Sequence, residues 1–363
     1  MPRQLPLLDP ERDKLELCVY CPKLCRAACP VSNAEPRETL IPWGKMSTAY
    51  FVARGDLPLT DDAAATAWAC TACHGCSKRC DHANPVAETL GRAREAFFAR
   101  GHAPREAVRA ARGFASHVAR TRKATERLSA SRHTSPSGKP LLVGCAYARA
   151  LPEVAADIVR VAAFVSGGPV RLIRGCCGVP LLHAGDRPGF ERAARALLDE
   201  VGESPELLVA DPGCGAALVR DYPRVGQEPR PRVTMLVKAA RTKLAALRPV
   251  ADAPPLRYHE SCQLGRGLGL HDEPRALLAR LTGRPPEELE DHALHGGCSG
   301  AGGLLPTTMP DVARAIAQAR ADEHRAAGGG TLVTGCAKSL LSLRRTGATV
   351  EDLHTWLARG LPE

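Results

Sequence analysis

From Lys139 onward the chain alternates short apolar runs with amphipathic stretches. The segments "KPLLVGC", "GPVRLIRGCCG" and "PELLVADPGC" each carry a short apolar run that stops at a cysteine, the pattern of a buried strand bounded by a turn. Between them, "PEVAADIVRVAAFV" and "RPGFERAARALLDEV" space apolar residues three and four apart, as one face of a helix does. The pattern then recurs. "PPLRYHESC" and "GGTLVTGC" end at cysteines, "HALHGGCSGAGG" carries another, and helices are expected over about 272–282, 309–326 and 351–358. An order of strand, cysteine and helix predicts parallel, doubly wound sheets, whose ligands gather beyond the carboxyl ends of the strands and near helix N-termini.

Upstream, residues 101–139 read as one helix from about Arg105 to Leu128 followed by a Ser/Pro/Gly linker, and so mark a domain boundary. They hold nine Lys/Arg against two Glu, or +7 of the chain's formal +10. The basic excess is therefore local. It lacks interleaved aromatics and any reading motif, so the expectation is a solvated, partner-facing helix and no nucleic acid. With 363 residues, 44% of them hydrophobic, the chain can form two or three domains with real cores. The opening "MPRQLPLLDPERDK" has no apolar signal-peptide stretch, and no run approaches a membrane span, so a cytoplasmic location is expected.

Fifteen cysteines in a reducing compartment point to metal rather than disulfides, because they cluster at short fixed intervals. Cys18, Cys21, Cys25 and Cys29 form one run, followed by Pro30; Cys70, Cys73, Cys76 and Cys80 form a second, spaced CxxCxxCxxxC. The first run has three residues between Cys21 and Cys25 where the second has two. Zinc sites more often show two CxxC pairs separated by a longer loop. In bacterial two-cluster ferredoxins the first three cysteines of a run hold one 4Fe-4S cube and the fourth crosses to the other. By that resemblance the ligand sets are Cys18, Cys21, Cys25 and Cys80, and Cys70, Cys73, Cys76 and Cys29. Residues 30–55 and "CDHANPVAETLGRAREAFFARG" also resemble the helical ferredoxin module of glycolate oxidase iron–sulfur subunits and heterodisulfide reductases.

The seven remaining cysteines show an internal duplication. Thirty residues stand between Cys145 and Cys176 and 35 between Cys262 and Cys298; 36 stand between Cys177 and Cys214 and 37 between Cys298 and Cys336. The period is about 120 residues. The Cys, Cys-Cys-Gly, Cys arrangement resembles the paired cysteine-rich "CCG" domains of the heterodisulfide reductase catalytic subunit and of glycolate, lactate and glycerol-3-phosphate dehydrogenase iron–sulfur subunits. In that family a full motif offers five thiolates to a noncubane cluster. Here Ala217 replaces the closing cysteine of the first half, while Gly297 and Ser339 replace two cysteines of the second. The first half keeps Cys145, Cys176, Cys177 and Cys214 as a metal set, enough for a cubane cluster or tetrahedral zinc. The second keeps Cys262, Cys298 and Cys336, with a position left for His259, water or substrate, and is the expected catalytic set. The glycine-rich loops "GRGLG" and "GCSGAGG" do not open a helix after a first strand as a dinucleotide site requires.

The expected fold is thus α+β and multidomain: an α-helical ferredoxin domain over 1–100 with two 4Fe-4S clusters, a basic helix and linker over 101–139, then two tandem doubly wound α/β CCG domains over 140–250 and 251–363. A further iron–sulfur cluster or zinc is expected in the CCG domains. The resemblance implies an electron-transferring oxidoreductase subunit, inactive alone, linking a flavin-dependent dehydrogenase partner to a disulfide, quinone or other carrier, with peripheral contact at the inner face of the membrane a further option. The alternative is a metal-stabilised interaction or regulatory protein using zinc or structural clusters.

Overall fold

The structure, a computed structural model, describes residues 4–23 and 25–362. These gather into two compact units: one holds the residues up to Phe114 with Pro180–Phe190 and Leu294–Glu323, the other Ala115–Val179, Glu191–Ala293 and the residues from His324 onward. The grouping cuts across the boundaries expected near 140 and 250, because two segments of the repeated region fold with the N-terminal residues.

The first unit is helical. Pro42 occupies the first turn of the helix Pro42–Arg54, and Gly55, at φ 89°, ends it; Thr60 caps Asp61–Trp68 by accepting the Ala63 N–H. The helix Val86–Ala99 buries Val86, Leu90, Ala93 and Phe97, and these join Leu15, Tyr50 and Trp68 in one apolar cluster. Burial of each large side chain stabilises the fold by about 1.5–3 kcal/mol. Arg94 is only 3% exposed. Its guanidinium donates to the carbonyls of Ala67 at 2.9 Å, Cys70 at 2.7 Å and Gly303 at 3.0 Å, which offsets the cost of burying it and ties the second cysteine run to the segment from Leu294.

The second unit carries two all-parallel sheets. In the first, β1 (Thr134–Leu142), β2 (Val170–Leu172), β3 (Glu206–Val209) and β4 (Arg232–Met235) lie in the order β2-β1-β3-β4, with Leu141 beside Leu172 and Leu142 beside Val209. In the second, β5 (Leu256–Tyr258), β6 (Thr331–Thr334) and β7 (Val350–Asp352) lie in the order β5-β6-β7. The helices Pro152–Ser166, Arg187–Val201 and Asp272–Thr282, and Pro310–Ala326 that lies mostly in the first unit, follow the predicted segments within a residue or so. The second half has no counterpart of β2 paired with β5 among the described residues, only a single bridge from Arg257 to Glu287. The sequence there, "GRPPEELEDHALHG", supplies two prolines and no β-branched apolar run.

Two expectations for 101–139 are corrected. The helix is two helices, Arg105–Arg112 and Phe114–Leu128, parted at Gly113, the weakest helix former of the stretch. The linker is not a free connection, since its last six residues open β1. Gly138 makes this feasible: a Cβ there would stand 2.3 Å from the Pro169 carbonyl oxygen, so only glycine lets the two backbones meet.

Candidate metal centres

The first unit brings the two N-terminal cysteine runs together. The thiol of Cys18, in the helix Arg12–Val19, has Cys25, Cys80 and Cys21 as its charge neighbours; burial, with those neighbours, pushes it up to about 12. Cys25 is pushed up to about 11, by burial first and then by Cys80 and Cys21. Cys76 is raised well above its ordinary range by desolvation, then by Cys73, Cys70 and Cys29. A separate cavity is lined by Cys29, Cys70, Cys73 and Cys76, with Lys45 in its wall and Leu90 beside it. In both groupings a cysteine of one run stands among three of the other.

Polar atoms point at these sulfurs. Asn84 Nδ2 donates to Cys18 Sγ at 3.1 Å and to the Lys14 carbonyl at 2.8 Å. The Lys45 ammonium, 1% exposed, lies 3.3 Å from Cys29 Sγ, and the Ala72 N–H donates to Cys70 Sγ at 3.4 Å. Ala72 and His74 hold left-handed conformations, φ 55° and 61°, which cost of order 1–3 kcal/mol each and turn the loop around the sulfurs. Thiols this crowded and desolvated resist ionisation unless a cation takes the charge, so the donor set fits iron–sulfur clusters.

In the second unit the first repeat assembles at the carboxyl ends of its strands, where the strand order reverses between β1 and β3. Cys145 opens the short helix Cys145–Ala150 three residues past β1, and Cys214 lies in Pro212–Ala216 past β3, its N–H donating to the capping Asp211 at 3.3 Å. Cys177 and Cys214 place their sulfurs 3.1 Å apart. Gly178, at φ 79°, turns the chain after the Cys176-Cys177 pair, and Tyr222 Oη donates to the Cys177 carbonyl at 3.1 Å. Cys145 is raised well above its usual range, mainly by its contact with Cys176 and then by burial. His117, on the helix Phe114–Leu128, joins this group: its Nε2 is 3.5 Å from Cys176 Sγ, and the donor atoms of His117, Cys145 and Cys176 all lie within 4.8 Å of one another. The charge pattern of that helix predicts only a solvated face. A histidine 28 residues before Cys145, outside any cysteine spacing, gives no signal in the sequence.

The three cysteines of the second repeat do not fall in one unit. Cys262 and Cys336 belong to the second unit, following β5 and β6; Cys336 is pushed up to about 12 by burial, then by Asp211, with Cys262 among its neighbours. Ser339, in place of the closing cysteine, hydrogen-bonds Cys336. Cys298 belongs to the first unit, packed against the apolar cluster that includes Cys29, Val31, Leu305 and Ile316, with the Gly300 N–H donating to its sulfur at 3.3 Å. At Gly297 a Cβ would lie 2.8 Å from Arg320 Nη1, and Arg320 is 3% exposed, so the arginine fills the room a paired cysteine would need. His259 is buried at the end of β5, its N–H bonded to the Val333 carbonyl at 2.8 Å. Glu260 is taken up by Arg275 at 2.8 Å and His271 at 3.2 Å.

Residues 14–84 match the family described as a 4Fe-4S dicluster domain, and residues 141–219 and 256–344 both match the family described as a cysteine-rich domain. The chain belongs to the iron–sulfur proteins that join a dicluster domain to paired cysteine-rich CCG domains. Within this family it is 25% identical over 338 residues to a fumarate reductase (CoM/CoB) subunit of Methanothermobacter marburgensis, covering 89% of this chain and 66% of that one. It is 29% identical over 155 residues to a subunit of the dihydromethanophenazine:CoB–CoM heterodisulfide reductase of Methanosarcina barkeri, covering 40% of this chain and 38% of that one. Lactate utilization protein A of an Exiguobacterium species is 26% identical over 197 residues, 49% of this chain and 78% of that one. The chain thus spans less than two thirds of the length of the first two. Among the described residues no helix is long and apolar enough to cross a membrane.

Proposed function

We propose that this chain is the electron-carrying subunit of an oxidoreductase, taking single electrons from a flavin-dependent dehydrogenase subunit and delivering them to a disulfide, quinone or other carrier. The observation that carries the reading is the crossing of the two N-terminal runs: Cys80 stands with Cys18, Cys21 and Cys25, and Cys29 with Cys70, Cys73 and Cys76. These are the ligand sets we assign to two 4Fe-4S clusters, which when bound supply one-electron carriage. The chain's own part is to hold the thiolates, exclude water and set the charge around them, as Asn84 and Lys45 do. The first repeat, Cys145, Cys176, Cys177 and Cys214, holds the further metal. Cys262 and Cys336, which follow β5 and β6 within one unit, supply the substrate-facing thiols, and a cytoplasmic location accords with this role.

Relatives named as subunits of fumarate and heterodisulfide reductases support a partner-dependent role. Iron and sulfide analysis after anaerobic purification is the test: about eight irons or more per chain are expected from two cubes. Zinc without iron would overturn the relay in favour of a metal-stabilised scaffold. A second measurement addresses the partner: alone, the chain should oxidise neither glycolate nor lactate, whereas a flavin dehydrogenase with its substrate should bleach the cluster absorbance. Full-rate oxidation by the isolated chain would sink the relay.

A further inference from the structure

We propose that His117 is a metal ligand, completing with its Nε2 a mixed thiolate–imidazole centre with Cys145, Cys176, Cys177 and Cys214. The proposal rests on reading the first repeat as a metal site and adds a ligand from outside the repeat. A tetrahedral metal shared by His117 and Cys176, one of those the five donors would hold, has metal–sulfur bonds of about 2.3 Å and metal–nitrogen bonds of about 2.0 Å, which puts sulfur and nitrogen about 3.5 Å apart. The His117 Nε2 to Cys176 Sγ distance is 3.5 Å, and Cys145 Sγ closes the triangle within 4.8 Å.

The donor count points the same way. Ala217, fully buried, stands where a closing cysteine would give the repeat its fifth thiol and offers no ligand atom. Four thiols and one imidazole restore five donors, although His117 approaches at the Cys145 and Cys176 end rather than beside Cys214. Imidazole suits both zinc and iron. On iron, a neutral nitrogen in place of an anionic sulfur raises the reduction potential, as two histidines do in Rieske centres.

Of the two ring nitrogens, Nε2 is the one nearer the sulfurs. Arg149, on the helix that begins with Cys145, places Nη1 2.8 Å from His117 Nδ1, which leaves Nε2 facing the sulfurs. A metal on Nε2 requires the proton on Nδ1, so the guanidinium, which is solvent-exposed, turns away on metal binding. Arg149 is therefore dispensable to the centre and His117 is not.

The test uses the full chain, purified anaerobically as wild type, His117→Ala, His117→Cys, Arg149→Ala and Cys177→Ala. Pulsed electron paramagnetic resonance reads directly bonded nitrogen if the metal is iron, and zinc-edge X-ray absorption reads it if the metal is zinc. Wild type and Arg149→Ala should show the nitrogen. His117→Ala should lose it and release metal to a chelator at least about tenfold more readily, and His117→Cys should retain metal with an all-sulfur signature. Metal present in wild type without bonded nitrogen, or nitrogen persisting in His117→Ala, overturns the ligand assignment alone. A Cys177→Ala chain that loses no metal overturns the metal reading of the repeat, and the ligand with it.

Discussion

Lys45 is the clearest case of one residue setting the chemistry of a site. A buried ammonium is costly unless a negative charge answers it, and Lys45 Nζ has the Cys29 sulfur 3.3 Å away. A cation beside a cluster favours the more negative, reduced form. Lys45→Met should therefore lower the potential of the cluster assigned to Cys29, Cys70, Cys73 and Cys76 by about 65–130 mV, from a charged hydrogen bond of about 1.5–3 kcal/mol on a one-electron couple. The other cluster should hardly move. Redox titration followed by electron paramagnetic resonance reads both, and equal shifts would refute the local effect. Cys80→Ser addresses the crossing at the same scale. Because Cys80 neighbours Cys18 and Cys25, its loss should damage the cluster of the first run and spare that of its own. Damage confined to the Cys70, Cys73 and Cys76 cluster would show that each run keeps its own.

At the scale of elements, Glu206 joins three strands. It accepts from Lys139 at 2.7 Å on β1, and from Arg232 at 2.8 Å and Thr234 at 2.7 Å on β4. Burial opposes its ionisation, but Lys139, Thr234 and Arg232 hold its carboxyl down to about 2. A folded pKa below the unfolded value of about 4.3 gives stability that is present above that value and lost as pH falls towards 2. Glu206→Gln should thus destabilise the fold by under about 1 kcal/mol at pH 7, since the group is partly solvated, and by much less near pH 2. Denaturant midpoints at the two pH values check it; a gap that persists at low pH would mean packing, not charge. β1, β2, β3, β5 and β6 are legible in the sequence because apolar runs ending at cysteines have few other readings; β4 and β7, which end at no cysteine, are not. The start of β1 is not, because "TSPSGK" has turn composition and its pairing depends on the close backbone approach at Gly138, a tertiary fact. His117 is illegible for a related reason: helix Phe114–Leu128 shows a charged pattern whose period says nothing of the sulfurs it meets in space.

For the molecule as a whole, the duplication has produced two unequal copies. The first keeps four thiols in one compact unit, with Cys177 and Cys214 already 3.1 Å apart, so metal can bind with little rearrangement. In the second, Arg320 occupies the space beside Gly297, Ser339 hydrogen-bonds Cys336, and Cys298 belongs to a different unit from Cys262 and Cys336. Each lost thiol is thus answered by a contact that closes its space, as expected of a copy released from holding metal tightly. Cys298 also packs in the cluster around Cys29 and Val31, so Cys298→Ala should cost stability through lost packing while leaving most metal in place. Cys177→Ala, by contrast, should release the metal of the first repeat to a chelator. The decisive measurement is metal retained per folded chain for the two variants under one chelator titration. If Cys298→Ala loses more than Cys177→Ala, the second copy is the principal centre, and the ranking of the repeats must be reversed.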